Sequence, residues 1–385
     1  MGLYEILEKE KYIIPNYQKE LHFLDVVQLL YNYCGCSFTE NSKILNLKKI
    51  IPNKKHIVLI LVDGMGVNLL RHLPKNHLFN IYKKKDIKAL FPTATGCVLT
   101  SLTTAKFPCE TGIFGWFGYH RETNLNYYTL LGKERKTKND LESIKDLFIH
   151  DSIMNKLKRK TLVLQPDDIV NSKFSNYIVD YDKKDGYGSY LEAVDKIKKE
   201  LISDNETFTY LYIPNIDKLE HYLGPYNKNV YNELEEIQEA VNTISNYDDT
   251  VIIITADHGQ VPINKTVYMD LNKYDKYFYA YPGIDMGTAC FYVKDTMEEE
   301  FIKEFNHDFK NQMYLFKREE FIDKNIFGGK LEDYAMSCLG EYIGIPKRGY
   351  AFYSDYIKEE KLPKGNHSVM SEEEFIIPLI VINKN

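Results

Sequence analysis

Residues 251–260 read VIIITADHGQ: four β-branched apolar residues and a threonine, followed two places later by an aspartate, a histidine and a glycine. Unbroken apolarity over so few positions marks a strand covered on both faces, the form strands take inside a parallel sheet. Asp257 and His258 then stand where that strand ends. A hydrated turn is one account of two adjacent polar groups; a pair of metal ligands is the other, and it gains weight because the pattern recurs.

Four similar runs lie elsewhere: IVLILV (57–62), IKALFPT (87–93), TLVLQP (161–166) and FTYLYIP (208–214), with EEEFIIPLIVI near the carboxyl end adding a sixth strand. Helical patterns separate them. The expected fold class is α/β, a central, mostly parallel sheet flanked by helices, with a smaller inserted cap. In such sheets ligands collect just beyond the carboxyl ends of the strands. Here those ends deliver Asp63, then Thr95 and Gly96, then Asp217 with His221, then Asp257 with His258.

Asp217 and His221 are four residues apart, so one helical turn sets them on the same side. On its own such a pair is an ordinary solvated helix face. Imidazole nitrogens and carboxylate oxygens in small groups are what zinc or manganese sites require. Among ten histidines, His367 in Lys364-Gly-Asn-His-Ser368 is the remaining candidate, because Gly365 permits close approach. Thr95 falls where the period of FPTATGCVLTSLTTAKFP changes from strand to helix, a place that favours an anion. Its hydroxyl would cap the helix, act as a nucleophile once its proton is withdrawn, or do both.

Bulk properties narrow the classes. A 385-residue chain with net charge −6 has no global positive field to gather nucleic acid or anionic lipid. Six cysteines lack a zinc-ribbon spacing and read as reduced thiols, the amino terminus lacks an apolar signal core, and no apolar run is long enough to span a bilayer. A cytoplasmic protein with no membrane and no nucleic-acid partner is expected, a homo-oligomer being allowed. The expected organisation is a helical extension over 1–55 and a catalytic domain over 56–385, with cap insertions within about 114–205 and 260–355.

Taken in order, Asp63 in LVDGMG, Thr95 in FPTATG, Asp217 and His221 in NIDKLEHYLGP, Asp257-His258 in TADHGQ and His367 in GNHS resemble the alkaline phosphatase superfamily. The nearest likeness is to its type I phosphodiesterase/nucleotide pyrophosphatase branch. The resemblance implies two divalent ions, zinc or alternatively manganese: one held by Asp63, Asp257, His258 and the Thr95 oxygen, the other by Asp217, His221 and His367. It implies that Thr95 attacks phosphorus to give a phosphothreonine-type intermediate, with the Gly96 N–H as an added donor.

One departure concerns Trp116. Diesterase members often carry an asparagine near this place; Trp116 is a candidate to stack on a base, or else a core residue. Tyr187, Tyr190, Tyr268, Tyr277, Tyr279 and Tyr281, in the expected cap, are candidate nucleoside contacts with packing as their default. Residues 95–99, TGCVL, lack the pattern a sulfatase nucleophile requires. The expected activity is hydrolysis of phosphodiester or pyrophosphate bonds in a small molecule, which the resemblance implies is a nucleotide or dinucleotide. Alternatives are a phosphomonoesterase, phosphonate hydrolase or phosphomutase, and a catalytically silent nucleotide-binding protein.

Overall fold

The computed structural model describes residues 2–354 and 362–383. Residues 1, 355 and 384–385, at the ends of three expected ranges, lie outside the described residues. Its main sheet has seven strands: β1 His56–Val62, β2 Lys83–Lys88, β3 Lys160–Pro166, β4 Lys184–Tyr187, β5 Thr207–Ile213, β6 Thr250–Thr255 and β7 Ile376–Ile382. Their spatial order is β2-β7-β6-β1-β5-β3-β4. All pairings are parallel except those of β7, which runs antiparallel to β6 and β2. The mostly parallel sheet expected from the apolar runs is therefore present.

The three central strands explain why those runs are continuous. Every residue of β1, β5 and β6 is buried, because helices cover both faces. Each aliphatic side chain placed there contributes roughly 1.5–3 kcal/mol relative to exposure. Val62 pairs with Ile213, and Leu61 with Thr255, so the three strands finish side by side. Whatever follows them in sequence is delivered to one place.

The run 87–93 is corrected. The strand is Lys83–Lys88, KKKDIK, a largely exposed edge, while residues 89–94 leave the sheet and are buried as irregular backbone. Proline cannot donate to a ladder, so Pro92 cannot continue a central strand. Backbone groups here find other partners: the Ala89 N–H donates to the Phe375 carbonyl (2.8 Å) and the Phe91 N–H to the Tyr17 hydroxyl (2.8 Å). Lysines along the exposed strand discourage pairing with another chain.

A second seven-stranded antiparallel sheet takes Phe117–His120, Leu125–Tyr128 and Lys133–Glu134 from one part of the chain and Phe278–Ile284, Ala289–Val293, Met313–Lys317 and Tyr342–Pro346 from another. Phe301, Phe305 and Phe309, one turn apart on the helix Glu298–Phe309, pack with Phe278 and Phe291 in its own apolar cluster. The range 114–205 is thus not all insertion: residues 160–166 and 184–187 build the main sheet. In the amino-terminal segment, helices Leu3–Lys9, Phe23–Tyr33 and Ser42–Lys48 join the main core, and buried Tyr31 donates to the Leu102 carbonyl at 2.8 Å. Among the described residues, no helix is long and apolar enough to cross a membrane.

Candidate active site

Asp63 follows β1, Asp217 and His221 lie on the helix Asn215–Leu223 after β5, and Asp257 and His258 follow β6. His367 arrives by a different route. Val261 and Pro262 pair with Asn366 and Gly365, which draws the chain after Gly365 across the ends of the central strands. Thr95 opens the ten-residue helix Thr95–Thr104. All seven expected ligands are brought together.

The deep half of the site is buried. Asp63 is 2% exposed, and Asp257 and His258 are fully buried. His258 Nε2 lies 3.4 Å from Asp257 Oδ2, 3.6 Å from Asp63 Oδ1 and 3.2 Å from the Thr95 hydroxyl. Its Nδ1 is 3.1 Å from the Gly259 carbonyl, so Nδ1 carries the proton and the Nε2 lone pair faces the oxygens. Asp63 Oδ1 and Asp257 Oδ2 are buried without a hydrogen-bond partner. The other carboxylate oxygens are held: Asp63 Oδ2 by the Tyr212 hydroxyl, and Asp257 Oδ1 by the N–H groups of Gly64 (3.2 Å) and His258 (2.9 Å).

The outer half repeats the design. His221 Nε2 lies 3.4 Å, and His367 Nε2 3.8 Å, from Asp217 Oδ1. Their Nδ1 atoms point at the carbonyls of Gly365 (2.9 Å) and Thr93 (2.8 Å). Gln260 Nε2 donates to the Asp217 carboxylate and to its backbone carbonyl (3.1 Å). Asp217 and His221 are half-buried, so this half opens to solvent. The rings of His258 and His367 stack at 3.9 Å and join the two halves.

Such a cluster is electrostatically unfavourable as it stands. Burial, then the charges of Asp257 and Asp217, push the Asp63 carboxyl well above the ordinary range. Burial raises the Asp257 carboxyl too. Burial pushes His367 well below its usual value. Among the described residues, no lysine or arginine forms an ion pair with Asp63, Asp217 or Asp257. Buried carboxylates without partners cost several kcal/mol each, so the compensating positive charge must come from outside the side chains. The donor set fits divalent cations: ligand atoms of Asp217, His221 and His367, and of Asp63, Asp217 and His258, each lie within 4.8 Å of one another.

Thr95 does not cap its helix; Ala94 precedes it and no side chain caps that terminus. The hydroxyl is instead left facing His258. Gly96 belongs to the first turn, whose N–H groups lack intrahelical partners. A Cβ at Gly96 would lie 2.9 Å from the Gly115 carbonyl oxygen, so glycine is needed for this approach. Trp116 follows Gly115, is half-buried, and meets Tyr128 edge-on at 6.2 Å.

A family model, type I phosphodiesterase/nucleotide pyrophosphatase, matches residues 57–370. The chain belongs to this family. It is therefore a member of the alkaline phosphatase superfamily with a phosphoester-hydrolase fold. No curated protein matches it in sequence. Similar solved structures include murine ectonucleotide pyrophosphatase/phosphodiesterase 5, at 15% identity over 84% of this chain and 87% of that one, with a TM-score of 0.65. The human counterpart gives 16% identity, the same coverage of 84% and 87%, and 0.63. Phosphonoacetate hydrolase from Sinorhizobium meliloti, solved with phosphonoacetate, gives 12% identity over 86% and 91%, with 0.64.

Four side chains around the site escaped the sequence reading. Tyr212 and Gln260 stand inside FTYLYIP and TADHGQ, whose strand and turn patterns do not mark them. Glu220 is fully buried with both carboxylate oxygens unpartnered, and burial, then Asp217 and Asp257, hold its carboxyl well above the ordinary range. Asp285 comes from the second sheet. Of the tyrosines, Tyr187 and Tyr277 are buried, Tyr187 donates to the Tyr212 carbonyl (2.8 Å), Tyr190 to Glu233, and Tyr279 to Glu341 (2.8 Å). These four are engaged in packing. Tyr268 is 38% exposed and Tyr281 half-buried.

Proposed function

We propose that the protein hydrolyses phosphodiester or pyrophosphate bonds of nucleotide-type substrates with two divalent ions, through a covalent phosphothreonine on Thr95. The observation that carries this reading is the half-buried Thr95 hydroxyl, 3.2 Å from His258 Nε2 and beside two orphaned carboxylate oxygens. Asp63, Asp257 and His258, with the Thr95 oxygen, would hold one ion; Asp217, His221 and His367 would hold the other. Bound there, such ions, zinc in this reading and manganese as the alternative, supply the positive charge that lowers the proton affinity of a hydroxyl or water and stabilises transferring phosphate.

The chain's own groups then do the following. The helix places the Thr95 oxygen to attack phosphorus; a Thr–O–P bond forms and the bond to the leaving-group oxygen breaks, that oxygen taking up a proton. The free N–H of Gly96 donates to a phosphoryl oxygen. Water then cleaves the phosphothreonine, releasing phosphate or its ester and restoring the hydroxyl. Tyr212, Gln260 and the carbonyls of Thr93, Gly259 and Gly365 hold the acidic and imidazole groups in register throughout. Trp116, next to Gly115, would stack on a base.

Two neighbours support the substrate class: an inactive variant of murine ectonucleotide pyrophosphatase/phosphodiesterase 5 is described in complex with AMP, and the phosphonoacetate hydrolase with phosphonoacetate. The latter favours phosphonate hydrolysis as the second reading. Six unpaired cysteines fit the reducing cytoplasm, where we place the protein. The test is turnover by zinc- or manganese-loaded protein of p-nitrophenyl thymidine monophosphate, p-nitrophenyl phosphate and phosphonoacetate. The diester should lead by about tenfold or more in kcat/KM, equivalent to about 1.4 kcal/mol. A lead for the monoester or the phosphonate would overturn the diesterase reading.

A further inference from the structure

Asp285 belongs to no strand of the main sheet, yet the fold sets it over the site. It follows Phe278–Ile284, whose last residue pairs with Phe117. The Ile284 carbonyl oxygen lies 2.7 Å from where a Cβ on Gly115 would stand, and Gly115 packs in turn on Gly96. On its other side the turn is fastened to the loop that carries His367. Gly287 N–H and Thr288 N–H donate to the Ser368 hydroxyl at 2.9 and 3.1 Å. A Cβ on Gly287 would fall 2.0 Å from the His367 carbonyl oxygen. Asp285 is thus clamped between the start of the Thr95 helix and the His367 loop.

The clamp is strained. Ile284 has φ +69° and Ser368 φ +83°, and a β-branched residue in the left-handed region is a genuine outlier. Strain of this kind costs of the order of 1–3 kcal/mol and persists where surrounding structure imposes it, often at functional sites. Asp285 is 7% exposed. Its carboxylate makes one hydrogen bond among the described residues, Oδ1 accepting from Met286 N–H at 2.8 Å. Burial raises its carboxyl to about 6, and His221, His258 and Asp217 are the titratable groups that act on it. A buried carboxylate clamped beside the candidate metal site, and outside the seven residues assigned to it, is available to the substrate.

Resting on the proposed hydrolase reading, we propose that Asp285 selects the group that stays esterified to phosphorus: it accepts a hydrogen bond from a hydroxyl or amino group there, and repels further negative charge. The preferred substrate is then a singly charged phosphodiester whose retained group is an uncharged, hydroxyl-bearing alcohol, ahead of a phosphomonoester dianion. A unit charge a few ångström away, at an effective dielectric near 20, changes binding by about tenfold or more.

The test compares wild type with Asp285→Asn, which keeps an Oδ1 acceptor for Met286, and with Asp285→Ser. Turnover of p-nitrophenyl thymidine monophosphate and p-nitrophenyl phosphate gives the diester-to-monoester ratio of kcat/KM. Calorimetry with inorganic phosphate gives anion affinity without requiring turnover, and elemental analysis gives metal content. The expected result is a ratio lowered about tenfold and phosphate bound about tenfold more tightly, with metal content unchanged. An unchanged ratio together with unchanged phosphate affinity overturns the proposal, as does loss of metal in either variant, which would make Asp285 a ligand. If wild type turns over neither ester, the hydrolase reading fails, and the phosphate affinities alone decide for or against Asp285.

Discussion

His258 presents Nε2 to the Thr95 hydroxyl at 3.2 Å, while its Nδ1 lies 3.1 Å from the Gly259 carbonyl. One side chain thus links the end of a central strand to the start of the Thr95–Thr104 helix, and its tautomer is set by its own loop. The Thr95 hydroxyl sits where its oxygen shares the space of the imidazole and the two orphaned carboxylate oxygens. If this oxygen is the nucleophile, its removal should separate chemistry from metal binding. Thr95→Ala should lower kcat on p-nitrophenyl thymidine monophosphate by about a thousandfold or more, while elemental analysis finds the Asp217, His221 and His367 ion retained. Comparable turnover in the variant would remove Thr95 from that role.

Tyr212 donates its hydroxyl to Asp63, and burial, then the Asp63 charge, hold its proton on well above the usual phenol range. Tyr212→Phe deletes this bond with little change of shape. Metal affinity should fall by about 10- to 100-fold, as it does when outer partners of ligands are removed, and a competition titration with a chelating dye would measure it. Equal affinity would show that Asp63 is held without Tyr212.

Gly64 has φ +80°, and its N–H holds Asp257. An added Cβ would meet Glu220 Oε2 at 2.7 Å and the Asp217 Cα at 2.9 Å. Backbone cannot yield as a flexible side chain can. Gly64→Ala should cost about 2 kcal/mol or more in denaturant unfolding and lower metal content, because it displaces two ligand-bearing segments at once.

Glu374 is buried under the loop that carries His367, and burial raises its carboxyl to about 7 despite hydrogen bonds from Ser371 and Val369. A carboxyl raised above its unfolded value of 4.5 keeps its proton in the folded state after the unfolded chain has lost it. Its contribution to stability is therefore complete below the unfolded value and is lost as pH rises through about 7. The swing is roughly 3 kcal/mol at most, at about 1.4 kcal/mol per pH unit. Glu374→Gln cannot ionise, so unfolding free energy measured between pH 5 and pH 8 should decline less steeply than in wild type. Parallel slopes would show that Glu374 ionises alike in both states.

Local sequence was sufficient for the strands that hold the site. The stretches 57–62, 208–214 and 251–255 are apolar throughout because both faces of a central strand are covered, and that leaves a mark at every position. Asp63, Asp217 with His221, and Asp257 with His258 were legible for the same reason: polar groups placed directly after such strands are tied to their ends by the chain itself. Thr95 was legible from a change of period, although the strand assigned before it proved to be irregular buried backbone. Apolarity reports burial, and it cannot tell a buried strand from a buried loop. The edge strands Lys83–Lys88 and Lys184–Tyr187 carry the opposite signature, since half-exposed edges need no apolar run.

Tertiary structure alone decided the rest. Tyr212, Gln260 and Glu220 take their meaning from which neighbour each side chain meets across the sheet, and nothing in a strand or turn pattern states that. Asp285 is more distant still. It reaches the site only because the second sheet packs through Gly115 and Gly96 on one side and through Ser368 on the other. Strand chemistry is written locally, one residue against the next; contacts between layers distant in sequence depend on the shape of the whole chain, and they come into existence only when it has folded.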